Sequence, residues 1–378
     1  MTRNRLSGIK QNKLELTCLP TKLTEFPKNY LICFGEDVMT VLNVAMFGSD
    51  DLAKSIAKAT DQRDVHTYVH KEYHDGEAKI ISIIRPARYP ERLRPLLNAI
   101  SAGRVGVIEV NSVDAILGEV LVAFASSSID SGLAIINPIN GEWIDEEIVK
   151  KMFHQAGLTK WKFVSNEGVE IRNQLYQLME DLEQVLIDSA TSQLVVSIDQ
   201  YFNVKGIGLV AIGYVQSGTI NVHDELYILP AKVGGNTKSL QVMDDDVKQA
   251  KSGDRVGIAI RGAKDDSLNN GSIIVKPAVD DKKTNTHIPL SVIEHKLSEL
   301  TIAPSPFQKR VLTEGDVIHI SVDLQFTVGR VKSVNGSKLR VEWESPVYIR
   351  RDEPDSAIIA QLDSKPRIIG SASLIALE

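Results

Sequence analysis

The octapeptide Gly48-Ser49-Asp50-Asp51-Leu52-Ala53-Lys54-Ser55 matches the phosphate-cradling pattern G-x-x-x-x-G-K-[ST] at every defined position except Ala53. In an intact loop of this kind, backbone amides wrap phosphate oxygens at a helix N-terminus, the lysine neutralises them and the hydroxyl holds magnesium. Gly48, Lys54 and Ser55 stand at the positions for these roles. Ala53 works against them, because its Cβ penalises the positive φ and close backbone approach that glycine allows. The same residues also read as a plain strand-turn-helix corner, with Asp50 and Asp51 in the first turn, where carboxylates favour the helix dipole.

Other chemistry-bearing residues are scattered. His66, His70 and His74 recur every four residues, a metal-ligand spacing on a helix. The Val, Tyr and Thr around them and the Asp75-Gly76 turn favour a strand, on which the rings would stand roughly 13 Å apart, so no metal site is expected. Cys18 and Cys33, the two cysteines, lack a neighbouring histidine or basic cluster to activate a thiolate. Basic residues gather late in the chain as Arg330, Lys332, Lys338, Arg340, Arg350 and Arg351, interleaved with Trp343 and Tyr348. Such a mixture suits gripping an RNA backbone and stacking a base. Glu342, Glu344, Asp352 and Glu353 among them equally suit a solvated, charge-balanced strand face. Arg85, Arg88, Arg92 and Arg94 form a second possible phosphate or ribosome contact, with Pro95 limiting where the helix behind them begins.

The elements that position these residues follow from periodicity. Strands are expected at 41–47, 65–73, 78–84, 105–110, 133–137 and 161–164, and helices at about 50–60, 91–102, 114–126 and 144–156. Strands alternating with helices predict a mostly parallel, doubly wound sheet covered on both faces. A last helix closes this domain with a stripe of Ile171, Leu175, Leu178, Leu182 and Leu186. After Ser189 the helical period gives way to short β-branched runs cut by turns such as Lys205-Gly206, Ser217-Gly218 and Asn270-Gly271, which predicts a barrel. Beyond a polar stretch at 276–287, long strands near 317–334 and 337–349 flank Asn335-Gly336, read as a type I′ hairpin. The expected domains are therefore an N-terminal arm at 1–38, an α/β domain at 39–190, and β-barrels at 191–276 and 277–378. The arm lacks periodicity, and Met39 offers an alternative start of translation.

The 378 residues and 41.7 kDa support such a multi-domain plan. With 43% hydrophobic residues, 24% charged residues and a mean hydropathy of -0.07, the chain suits a globular protein rather than a disordered one. It contains no apolar run near the roughly 18 residues of a membrane helix. The basic N-terminus has no secretory h-region, so a cytoplasmic location is expected. The net charge of -6 disfavours coating nucleic acid by bulk charge but leaves room for a local basic patch.

The order of domains and the wording of the middle one resemble the translational GTPases of the EF-Tu and selenocysteine-specific (SelB) elongation factor group, and most of all an archaeal SelB-like branch with a degraded nucleotide site. The strongest stretch is Ser197-Ile198-Asp199-Gln200-Tyr201-Phe202-Asn203-Val204-Lys205-Gly206-Ile207-Gly208-Leu209-Val210, where the family has I-D-x-x-F-x-V-x-G-x-G-T-V. It continues through Asp224-Glu225-Leu226 and Lys251-Ser252-Gly253-Asp254-Arg255-Val256-Gly257. The resemblance implies a P-loop-GTPase-like domain followed by two EF-Tu-like barrels. It also implies a first domain that docks on the ribosome and barrels that hold tRNA.

The nucleotide signatures depart from the family. Its D-x-P-G-H is Ile84-Arg85-Pro86-Ala87-Arg88 here, which loses the magnesium-linked carboxylate and the water-positioning histidine. Its N-K-x-D is Asn137-Pro138-Ile139-Asn140, which keeps Asn137 but loses the carboxylate that reads guanine. About 30 residues separate Ser55 from Arg85, too few for a long switch loop. The expectation is a pseudo-GTPase with no catalytic residues and no cofactor, whose degenerate nucleotide site is Gly48, Lys54, Ser55 and Asn137. Its expected partner is tRNA, the ribosome or another RNA. The alternatives are an active SelB-type factor using GTP or GDP with magnesium, and a scaffold that binds a protein and no RNA.

Overall fold

The computed structural model describes residues 39–377 apart from 63–64, 75, 282–285 and 354–356. The expected arm at 1–38 with Cys18 and Cys33, and Asp75 of the expected turn, lie outside the described residues. The α/β domain comprises β1 (Met39–Phe47), α1 (Asp50–Ile56), β2 (Lys58–Gln62), β3 (Val65–His74), β4 (Glu77–Pro86), α2 (Arg94–Ala102), β5 (Val105–Val110), α3 (Ala115–Ala125), β6 (Gly132–Ile136), α4 (Glu146–Ala156), β7 (Lys162–Val164), α5 (Gly168–Asp181) and α6 (Glu183–Ala190). Its strands lie in the order β2-β3-β4-β1-β5-β6-β7, with β4, β1, β5, β6 and β7 parallel, β3 antiparallel to β4, and β2 antiparallel to β3.

Alternation along β1 and β5 supplies both faces of this sheet. Leu42, Val44, Met46, Val105 and Val107 pack with α1 and α5. Ala45, Ile108 and Val110 pack with α2, α3 and α4. Strands buried on both sides read as nearly continuous apolar runs, as these do. Short polar caps fix the helix starts: Asp114 accepts from Ile116 N and Leu117 N at 2.9 Å each, and Asp145 accepts from Glu147 N at 3.0 Å.

Three local expectations in this domain are corrected. The first helix ends at Ile56 rather than near residue 60, because residues from Lys58 onward gain ladder bonds to β3, and Thr60 Oγ1 donates to Thr67 O at 3.0 Å. Helix α2 starts at Arg94 rather than 91, since Pro95 is tolerated in a first turn and not deeper. The closing helix breaks at Leu182 into α5 and α6, and Leu186 lies against Gly253 of the next domain instead of continuing one core stripe.

The next domain holds β8 (Val195–Val204), β9 (Gly208–Ser217), β10 (Thr219–Asn221), β11 (Glu225–Leu229), β12 (Val233–Val242), β13 (Asp245–Val247), β14 (Gln249–Lys251), β15 (Arg255–Arg261) and β16 (Ile273–Val275). Pairing of β11 with β12 closes β11-β16-β8-β9-β15-β12 into a six-stranded barrel. A small hairpin, β17 (Val279–Asp281) and β18 (Thr286–Ile288), leads to the second closed barrel. This consists of β19 (Val292–Pro304), β20 (Val317–Val322), β21 (Gln325–Asn335), β22 (Lys338–Arg350), β23 (Ala357–Ala360) and β24 (Ile368–Leu377), in the order β19-β22-β21-β20-β23-β24.

Two further readings change here. The expected strand at 317–334 is a hairpin that turns at Asp323 and Leu324, both at positive φ (45° and 63°). This is the backbone of a type I′ turn, made with a leucine instead of the usual glycine. Leu324 is buried among Ile84, Ala99, Ala102 and Tyr214, so three-domain packing holds what local propensity disfavours. The Asn335-Gly336 turn is not type I′. Asn335 pairs with Lys338 as a strand residue, and Gly336 alone of the loop has positive φ (61°), the pattern of a type II′ turn with glycine first.

The α/β domain joins both barrels. Arg104 Nη2 donates to Gln216 O at 2.7 Å, and the buried Asn43 Nδ2 donates to Gly253 O at 2.7 Å. Ile358, Ala360 and Ile368 of the second barrel enter the α2–α4 core, while Arg367 Nε donates to Glu119 Oε2 at 2.9 Å. Among the described residues, no helix is long and apolar enough to cross a membrane.

Candidate nucleotide site and basic cleft

The would-be phosphate loop is short. Strand β1 ends at Phe47 and α1 begins at Asp50, leaving Gly48 and Ser49 between them. Ala53, Lys54 and Ser55 are already helical: Ala53 N donates to Ser49 O at 3.2 Å and Ala57 N to Ala53 O at 2.9 Å. The amides a phosphate would need are also engaged. Ser49 N donates to the Glu109 carboxylate, and Leu52 N donates to Ser49 Oγ at 3.1 Å. Glu109 is fully buried, and its other oxygen accepts from Asn137 Nδ2 at 2.6 Å. A protein carboxylate thus sits at the helix N-terminus, where such a loop holds a phosphate.

The remaining groups turn inward or aside. Arg85 Nε donates to Gly48 O at 2.6 Å. Lys54 pairs with Asp50 at 2.5 Å, one helical turn back, and that contact raises the lysine pKa and lowers that of Asp50. Tyr68 donates its hydroxyl to Asp50, and burial followed by that bond pushes the phenol up to about 12. Ser55 Oγ donates to Leu52 O at 2.8 Å within the helix. Of the four expected nucleotide residues, Gly48 and Asn137 therefore meet around Glu109, while Lys54 and Ser55 serve α1. In the segment Asn137 to Asn140, Asn140 has positive φ (54°) and Pro138 precedes a single 3-10 turn, Ile139–Gly141.

A cleft of about 400 Å³ opens where the three domains meet. Arg88, Arg92, Arg94 and Asn98 line it from the β4–α2 segment, Asp199, Gln200 and Tyr201 from β8, Asn270 from the first barrel, and Leu324 from the second. Arg88 and Arg92 are exposed and carry no side-chain hydrogen bond or ion pair among the described residues. Arg94 stacks its guanidinium 5.8 Å from the Phe326 ring. Three arginines face one carboxylate here, beside a part-exposed tyrosine ring.

The basic group of the second barrel fares differently. Arg350 is buried, held by Asp323 at 2.9 Å and Glu353 at 2.6 Å, so it leaves the candidate RNA set. Trp343 and Tyr348 are also interior, with Trp343 Nε1 donating to Ser298 Oγ at 2.8 Å, and neither can stack a base. Lys332 pairs with Glu342 and Lys338 with Glu299, both at 2.5 Å. Arg330 donates to Gly315 O at 3.1 Å and Arg351 to Leu290 O at 2.8 Å, and Arg340 is exposed on β22. Lys332, Lys338 and Arg350 of this group are thus neutralised by carboxylates of the same barrel. Sequence reasoning missed Glu109, although a lone carboxylate inside the apolar run 105–110 was the available signal. It also missed Tyr201 and Asn270, which chain folding alone brings beside the arginines.

A doubly wound P-loop-type domain followed by two closed six-stranded barrels is the architecture of translational elongation factors. The sequence profile of Elongation factor Tu domain 2 matches residues 208–275. An uncharacterised protein of Methanocaldococcus jannaschii is 28% identical over 89% of this chain and all of its own length. The selenocysteine-specific elongation factor of the same organism is 27% identical over 56% of this chain, a match that spans 47% of that factor. Among solved structures, the SelB elongation factor of Methanococcus maripaludis in complex with the GTP analogue GppNHp superposes with a TM-score of 0.69. That match has 19% identity and covers 90% of this chain and 80% of that one. Residues 208–275 thus belong to the Elongation factor Tu domain 2 family, and the chain is similar in sequence and fold to EF-Tu/SelB-type elongation factors.

Proposed function

We propose that this protein is a pseudo-GTPase of the cytoplasm, an elongation-factor-like binder of tRNA, the ribosome or a related RNA that acts without hydrolysing GTP. The observation that carries this reading is Glu109 on the Ser49 amide. A nucleotide phosphate entering the loop must displace that carboxylate or lie beside it. At about 4 Å and an effective dielectric of about 20, each such charge pair meets roughly 4 kcal/mol of repulsion, on the order of a thousandfold in affinity. Asp50 and Asp51 in the first turn add to it. The RNA side of the proposal rests on the three-domain cleft, where unpaired Arg88 and Arg92 are available to phosphates and Tyr201 offers a ring to a base.

Calorimetric titration with GTP and GDP plus magnesium, up to millimolar ligand, tests the first half. No heat is expected, and micromolar binding would sink the reading. Gel-shift titration with bulk tRNA and with ribosomes over a salt series tests the second. Arg88→Ala with Arg92→Ala should weaken binding and flatten the salt slope by about one to two. Equal affinity in the double variant would remove the cleft from the proposal.

A further inference from the structure

We propose that an exposed apolar patch at the C-terminal edge of the parallel sheet is a docking surface for a basic protein segment carrying an apolar anchor. Two loops build it. The one after β5 leads through Val113 to Ile116 in the first turn of α3, and the one after β6 carries Ile139 and Trp143 to Ile148 in the first turn of α4. Ile139 N donates to Asn111 O at 3.4 Å, which holds the loops side by side. Trp143 is 83% exposed and the four aliphatic residues are 37–52% exposed. The chain's other tryptophans, Trp161 and Trp343, are buried, so an indole is kept in water at one place, on a loop whose turn is fixed by positive φ at Asn140 and Gly141. Exposed aromatic residues beside aliphatic ones are the usual anchors of interfaces.

The surroundings choose the partner. Asp114, Glu142, Asp145, Glu146 and Glu147 ring these residues, and Lys150 is already held by Glu146 at 2.9 Å and Glu147 at 3.0 Å. A strongly acidic rim repels nucleic acid and attracts a cationic chain, and the apolar centre supplies the contact that charge alone lacks. The occupant is therefore a lysine- or arginine-rich protein segment with at least one large apolar side chain. None of these residues lines the arginine cleft, so the inference stands apart from RNA binding there.

The test places benzoylphenylalanine at position 143 of the full chain, irradiates it in cell extract and maps the cross-linked segment. That segment, made as a synthetic peptide, is then titrated against the parent protein by tryptophan fluorescence. The expected result is a nuclease-resistant cross-link to a net-positive segment and a blue shift of Trp143 emission. Affinity, read by calorimetry so that it does not depend on Trp143 as reporter, should fall about tenfold or more both in Trp143→Ala and in Glu146→Lys with Glu147→Lys. A cross-link to RNA, a cross-link no stronger than one from benzoylphenylalanine at the exposed Val334, or affinity unchanged by charge reversal each overturns the proposal. Unchanged melting temperatures of the variants guard against misfolding.

Discussion

Ala53→Gly separates two accounts of the degenerate loop. By pattern alone, glycine at this position repairs the single broken element of the motif and should restore phosphate binding. By structure it should not. Ala53 is fully buried inside α1 and sits in the helical ladder from Ser49 O to Ala57 N, so no positive φ is waiting to be released. Glycine there loses about 1 kcal/mol of helix propensity. The lost buried methyl removes about 0.8 kcal/mol more. The sum, about 2 kcal/mol, corresponds to a melting decrease of about 4–8 °C for a domain of this size. Meanwhile Glu109 stays on the Ser49 amide, so nucleotide binding should remain weaker than about 1 mM. Differential scanning fluorimetry with and without millimolar GTP, GDP and magnesium reads both effects. A variant as stable as its parent that gains micromolar GTP affinity would refute the argument, because α1 would then have to open into a loop.

Glu109→Ala strands the Ser49 amide and the Asn137 side chain, and should lower stability by about 2–4 kcal/mol in denaturant titration. Arg350→Ala leaves Asp323 buried without its partner, so a loss of about 3–5 kcal/mol is expected with RNA affinity unchanged, the reverse of Arg88→Ala. Burial raises Asp254 to about 6. The folded state then holds this proton where the unfolded state has released it, and stability falls by about 3 kcal/mol as pH rises from about 4 to 6. Burial lowers His295 to about 4, so its contribution runs the other way, rising by about 3 kcal/mol as pH rises from about 4 to 6.5. Subtracting the parent's pH profile from those of Asp254→Asn and His295→Gln should yield difference curves of opposite slope. Parallel profiles would contradict the burial assigned to both groups.

Architecture was legible where periodicity is strong. The strands expected at 105–110 and 133–137 and the helices α3 and α4 were found because burial on a face leaves a regular mark in sequence. Departures arose where distant packing outweighs local preference. Leu324 takes a turn conformation that glycine or asparagine ordinarily fills, because three domains close around it. Lys58 to Thr60 exchange helix for strand because β3 offers partners. The basic residues of β22 looked equivalent in sequence, yet Arg340 points to solvent and Arg350 lies against Asp323, and a strand's alternation alone does not say which charges meet a buried partner. Glu109 is the sharpest case. Its role depends on β5 lying beside β1, so that position 109 faces the amide of Ser49, sixty residues away.

That contact bears on how the three domains stay arranged. A nucleotide switch moves because its phosphate contacts exist in one state and vanish in the other, and a ligand shifts an equilibrium only by its difference in affinity for the two states. Here the contact at the helix N-terminus is made by a side chain of the same domain. The joints to the barrels are likewise internal: Asn43 to Gly253, Arg104 to Gln216, Glu119 to Arg367, and a core shared between α3 and β23. Under the proposed function, the energy that a switching relative draws from nucleotide is thus replaced by permanent contacts. The arginine cleft between the domains is then preformed, and a preformed site binds without the loss of affinity that a rarely populated competent state imposes. RNA affinity should accordingly be the same with and without GTP, GDP and magnesium, and a nucleotide-dependent change in tRNA or ribosome binding would show that the domains still switch.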